Sequence, residues 1–170
     1  MRTVVRALLT VVLAAGAAVG IGVAPSAAAL PPYVCGTLSG GSNTVHSHIT
    51  GVSVGRHARF DRFVVTFSTQ RLPHWRITPK TSATFTRDPS GTPVSLLGGA
   101  GLKVVLHSAT GVGTYRGPAD FRTGFPQLRE ARRIGDFEGY VSWGLGLDHS
   151  SCKRVFTLMS PTRLVVDVPH

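Results

Sequence analysis

From position 49 onward, apolar residues recur at every second position in short runs, each closed by glycine, proline or a small polar cluster. Phe63-Val64-Val65-Thr66-Phe67 sets Phe63, Val65 and Phe67 on one face of an extended strand, because successive side chains alternate sides. Trp75 and Ile77 form a second inward pair. Leu102, Val104 and Leu106 form a third, with Lys103 and His107 turned outward. In Val141-Ser142-Trp143-Gly144-Leu145-Gly146-Leu147-Asp148 every odd position is apolar and every even one small or polar, which predicts a strand with its odd face buried. Leu164, Val166 and Val168 give the last inward face. Residues 127–133 fit either a helical turn or one more strand.

Turn chemistry separates these runs: Asp88-Pro89-Ser90-Gly91, Gly98-Gly99-Ala100-Gly101, Thr110-Gly111-Val112-Gly113, Arg116-Gly117-Pro118 and Ser160-Pro161. Short strands at this spacing predict an all-β class, an antiparallel sandwich or barrel. The 20 Gly and 11 Pro in 170 residues disfavour a helical bundle. Residues 30–48 are polar and rich in Gly and Ser, and read as an extended leader before a domain spanning 49–170. A faint echo links Arg62-Phe63-Val64-Val65-Thr66-Phe67 to Arg163-Leu164-Val165-Val166-Asp167-Val168.

Residues 1–29 read as a signal peptide. Arg2 and Arg6 precede an uncharged apolar stretch, and Pro25-Ser26-Ala27-Ala28-Ala29 supplies the small residues of a cleavage site after Ala28 or Ala29. No charged residue occurs from 7 through 55, so retention as an anchor is the alternative; the glycines and the alanine run favour removal. No later segment is apolar enough to span a bilayer. Cys35 follows Pro32-Tyr33-Val34 rather than the small residues of a lipobox, so it reads as unlipidated. The expected location is secreted or extracellular, with association to the cell wall open. In an oxidising compartment the two cysteines, Cys35 and Cys152, are expected to pair. They would close a loop of 118 residues, worth ~4–5 kcal/mol on the chain-entropy model.

Charge changes the picture further. Lys and Arg number 18 against 8 Asp and Glu. Removal of Arg2 and Arg6 leaves 16 basic residues and a net of +8. Lys80, Lys103 and Lys153 are the only lysines, an arginine skew that suits a GC-rich bacterial genome. Arg56, His57, Arg59 and Arg62 crowd one loop and strand start; Arg129, Arg132 and Arg133 crowd another. These seven are the candidate ligand-binding residues. Nucleic acid is the usual partner of such a balance, but export and the lack of an interleaved stacking platform argue against it. Wall polymers, peptidoglycan carboxylates and lipid headgroups are the anions outside a Gram-positive-type membrane. Solubility or codon bias is the plainer explanation of the charge.

Five ordered blocks carry a family resemblance: the stretch from Val54 through Arg56-His57-Ala58-Arg59-Phe60-Asp61-Arg62 to Phe67; Ser108-Ala109-Thr110-Gly111; Tyr115-Arg116-Gly117-Pro118; Gly135-Asp136-Phe137-Glu138-Gly139 followed by Gly146-Leu147-Asp148; and Pro161-Thr162 through Val168. Together they resemble the AMIN-like domain of exported actinobacterial proteins. The resemblance implies a β-sandwich related to AMIN domains, which sit beside cell-wall amidases and secretins and attach them to peptidoglycan while another domain does the chemistry. Many AMIN-like proteins are lipoproteins; this chain departs by lacking the lipobox, and the Cys35/Cys152 pair is not part of the pattern.

The catalytic candidates each have a plainer explanation. Gly51-Val52-Ser53-Val54-Gly55 fits G-x-S-x-G, a pattern that works only at a strand-to-helix turn. His46-Ser47-His48 offers two imidazoles for a metal but no neighbouring third ligand. Asp136 and Glu138 could divide acid and base roles in a small secreted hydrolase, yet flanking Gly135 and Gly139 suggest a turn with Phe137 packed inward. Asp61 reads as a carboxylate pinning the loop before its strand, with Arg62 and Arg163 pairing acidic neighbours. The expectation is therefore a non-catalytic monomer with no metal and no cofactor, binding peptidoglycan or anionic wall polymer. A secreted hydrolase, or a protein-interaction or inhibitor module, is the alternative.

Overall fold

A computed structural model describes residues 29–170; the expected signal peptide lies outside the described residues apart from Ala29. The described chain has thirteen strands and no helix: β1 (Leu38–Gly40), β2 (Ser47–Arg56), β3 (Phe60–Phe67), β4 (Trp75–Lys80), β5 (Thr84–Thr86), β6 (Pro93–Ser95), β7 (Ala100–His107), β8 (Ala109–Thr110), β9 (Asp120–Arg122), β10 (Leu128–Phe137), β11 (Tyr140–Leu147), β12 (Arg154–Leu158) and β13 (Arg163–Pro169). One sheet has the order β1-β4-β7-β11-β10-β9, the other β12-β13-β3-β2-β8, and β5 pairs only with β6. Every pairing between these strands is antiparallel except the short β2–β8 contact. The fold is thus the expected all-β sandwich. Residues 127–133, open between helix and strand, run as strand from Leu128 onward.

The core lies where the alternation predicts. Phe63, Val65, Phe67, Leu164, Val166 and Val168 face Ile77, Leu102, Val104, Leu106 and the odd positions of β11. Trp143 fills the centre, with Phe63 at 5.6 Å and Phe121 at 6.1 Å between ring centroids. Each such burial stabilises by about 1.5–3 kcal/mol before ordering costs are subtracted. The two echoing segments are neighbours: β3 and β13 pair antiparallel, with Arg62 opposite Asp167 and Thr66 opposite Arg163.

The even face of β11 departs from expectation, because Ser142, Gly144 and Gly146 are buried as well. The β5–β6 hairpin lies over them, and its Ala83, Phe85 and Leu96 form a second apolar cluster with Ile134 of β10. Glycine makes room for it. A Cβ on Gly144 would stand 3.0 Å from the Phe85 ring and one on Gly101 2.7 Å, while one on Gly146 would run into the Leu97 carbonyl.

The leader is a strap across one side of the sandwich. Val34 exchanges backbone bonds with Lys153 (2.8 and 3.0 Å), Cys35 is disulfide-bonded to Cys152, and Leu38–Gly40 pairs with β4. The pairing expected from the cysteine count is present. Lys153 is fully buried beneath the strap, its ammonium donating to the carbonyls of Val34 and Gly36. Burial pushes it below the ordinary lysine value.

Candidate functional site

A tight connection joins β2 to β3, closed by the His57 N–H donating to the Phe60 carbonyl at 2.9 Å. His57 stacks on the Phe60 ring, centroids 4.4 Å apart. Arg56, His57 and Arg59 are exposed at this tip, and neither arginine has a carboxylate partner among the described residues.

Arg62 lies along the adjacent sheet face rather than at the tip. Its Nε donates to Asp167 Oδ1 at 2.6 Å and its Nη2 to Oδ2 at 2.9 Å. Arg154 Nη2 donates to the same Oδ2 at 2.7 Å. Asp167 is fully buried beneath them, so two guanidiniums share one carboxylate and a positive charge is left over. Aromatic faces support both arginines: Arg62 stands over Phe60 and Phe156 (5.1 and 5.3 Å), and Arg154 over Tyr33 and Phe60 (4.7 and 5.2 Å). Such contacts keep a guanidinium flat and partly dehydrated. Sequence reasoning missed Arg154; the signal available was the alternation Arg154-Val155-Phe156, which puts arginine and ring on one face.

The second arginine group sits on the other sheet and is neutralised. Arg129 Nη2 donates to Asp148 Oδ1 at 2.7 Å. The bond from Arg129, joined by one from His149, holds the Asp148 carboxyl below its ordinary value. Arg132 reaches Glu130 at 2.6 Å and Asp120 at 2.9 Å, and Arg133 stands 3.5 Å from Asp136. Of the seven candidates the structure groups Arg56, His57 and Arg59 at one tip with Arg62 beside them, and places Arg129, Arg132 and Arg133 on β10 among acidic partners.

The catalytic candidates do not assemble. Asp136 accepts from Thr110 Oγ1 at 2.9 Å and from the Gly111 N–H at 3.0 Å, which fixes it as a loop tie. Asp136 lines a hollow with Arg87 and Arg133, whereas Glu138 lines a different one with Lys103 and Tyr140. Glu138 and Gly139 form the turn, both at positive φ (49° and 78°), as a two-residue hairpin of matching twist requires. That turn sends Phe137 outward, 47 % exposed, contrary to the inward packing expected. Ser53 sits mid-strand opposite Val64, so no elbow exists at G-x-S-x-G. His46 and His48 are exposed either side of buried Ser47, and no group of three His, Cys, Asp or Glu comes together among the described residues.

Asp61 is pinned, but not to its own loop. Fully buried, its Oδ2 accepts from the N–H groups of Gln127 and Leu128 at 2.7 and 2.9 Å, tying β3 to the start of β10 in the opposite sheet. His170 Nε2 lies 3.7 Å from its Oδ1.

The carboxylates are therefore nearly all committed inside the molecule, and the uncompensated charge falls on exposed arginines, two of them at the β2–β3 tip. A family model described as the AMIN-like domain matches residues 47–170. No curated protein matches the chain, and no solved structure matches it.

Proposed function

Because the chain belongs to the AMIN-like domain family, we propose that it is a non-catalytic module of the cell envelope, exported and wall-associated, that holds peptidoglycan or anionic wall polymer through the β2–β3 tip. The supporting observation is that Arg56 and Arg59 stand exposed without carboxylate partners among the described residues, while Asp88, Asp120, Glu130, Asp136, Asp148 and Asp167 are held by internal partners. Arg62 and Arg154, sharing one carboxylate, extend the positive field from the tip along the sheet. Such a field attracts polyanions before contact. A disulfide across the leader suits an oxidising compartment.

Cosedimentation with purified sacculi across a salt series tests this. Binding at low salt should be released as the screening length falls from about 10 Å at 0.1 M to about 3 Å at 1 M. Arg56→Ala with Arg59→Ala should weaken binding more than Arg129→Ala with Arg132→Ala, whose charges are already matched. Absence of binding at low salt, or equal losses from the two double variants, would overturn the proposal.

A further inference from the structure

Two hollows at the far end of the sandwich adjoin each other. One, of about 370 Å³, lies between the strap, the β3–β4 connection and the end of β12; the other, of about 340 Å³, continues under the β12–β13 turn. Gln70 and Met159 line both, so the two form one trough. Each falls within the size range of small-ligand sites. Phe67, the last residue of β3, lines the trough, whereas β3 begins at the arginine tip. Eight residues of strand separate the two places, about 25 Å at the usual rise.

The trough has a consistent chemistry. No Asp or Glu lines either half, and its one cationic side chain is Arg71. Arg71 is exposed and makes no ion pair among the described residues. Apolar walls come from Trp75, which is half-buried, and Met159, 55 % exposed. The indole is held in place by Gly40 opposite it on β1, where a Cβ would come within 2.8 Å of Trp75 Cζ2. Gln70, Ser42 and Thr157 add amide and hydroxyl groups.

A strand edge runs into this trough. Among the described strands β12 is bonded to β13 alone, and among the described residues its outer backbone groups make no bond beyond the point where Val34 joins Lys153. That bridge is a single backbone pairing immediately before β12 begins. Thr157 carries the open edge to the trough wall.

The geometry points to this trough as the binding site for an extended peptide with a free C-terminal carboxylate. The peptide backbone adds to the open edge of β12, its last apolar side chain rests on Trp75 and Met159, and its carboxylate pairs with Arg71. Backbone pairing supplies sequence-tolerant affinity, and the single guanidinium supplies the requirement for a chain end. The site is independent of the arginine tip.

Trp75 gives a direct readout, since the only other tryptophan, Trp143, is fully buried in the core. The probe is a pool of N-acetylated pentapeptides, randomised in sequence, with free carboxylates; the control is the same pool amidated. The Trp75 indole N–H resonance of the ¹⁵N-labelled protein should shift with the acid pool and stay in place with the amide pool. Arg71→Ala should lose roughly tenfold or more in apparent affinity, and Arg71→Lys should recover part of it. Arg56→Ala with Arg59→Ala should leave the Trp75 response unchanged while weakening binding to sacculi. The Arg71 side chain is exposed and makes no ion pair among the described residues, so the melting temperature of Arg71→Ala should match the wild type and serves as the fold check. An unmoved Trp75 resonance, or equal responses to the acid and amide pools, would overturn the assignment.

Discussion

Asp61 is a buried anion whose best partners are two backbone N–H groups rather than a cation. Charge-assisted bonds of this kind are strong, and truncation would leave the Gln127 and Leu128 N–H groups buried without acceptors. Asp61→Ala should therefore cost about 3 kcal/mol, and Asp61→Asn, which keeps one acceptor oxygen, clearly less. Urea denaturation of the two variants checks this; sacculus binding by the folded fraction should not change. That a carboxylate before an apolar strand accepts backbone bonds was legible from residue type, but its recipients, 66 and 67 positions away, were not, because no local pattern encodes a contact between sheets. His107 carries the pH dependence at this scale. Burial first, then the charges of His74 and Arg76, lower it from the ordinary value of 6.5. The unfolded chain therefore binds this proton at higher pH than the folded one. Stability should fall as pH drops through 6.5 to the lowered folded value and level off below it. Melting temperatures across that window should show a shallower slope for His107→Gln.

Elements with a bare two-residue period announced themselves: β3, β7 and β13 bury the faces their alternation marks. The β5–β6 cover did not, for two physical reasons. Strands of three residues are too short to display a period, and glycine and serine under a covering hairpin look the same as glycine and serine facing water. The arginine groups were ambiguous for a related reason: the excess of basic over acidic residues shows that some must be unpaired, but which carboxylate each one meets depends on strand register. The hairpin's seat gives a sharp test. Gly146→Ala places a methyl against the Leu97 backbone and should destabilise by roughly 1–3 kcal/mol. Gly36→Ala, whose Cβ meets nothing within 4 Å, should be near neutral. Chemical denaturation of the pair distinguishes a tight seat from a loose flap; equal midpoints would mean the hairpin rides freely.

At the scale of the whole molecule, the strap joins the edge of one sheet at Val34 to the edge of the other at β1, and the disulfide makes the connection covalent. Cys35→Ser with Cys152→Ser opens a loop of 118 residues. The cost should approach ~4 kcal/mol if unfolded-chain entropy dominates. Equilibrium denaturation should show a lower midpoint, and an unchanged midpoint would mean that backbone pairing and Lys153 hold the strap without the bond. The same closure has a mechanical side. Tension applied through Cys35 cannot lengthen the chain between the cysteines; it passes directly to Cys152 and into the segment that follows. There β13 lies between β12 and β3, so drawing out the C-terminal end means shearing two ladders at once. The β2–β3 tip belongs to the closed ring. A polymer tugging at Arg56 and Arg59 would therefore load both arms of that ring at once, and the shorter arm, the 20 residues between Cys35 and Arg56, would limit how far the tip could be drawn out.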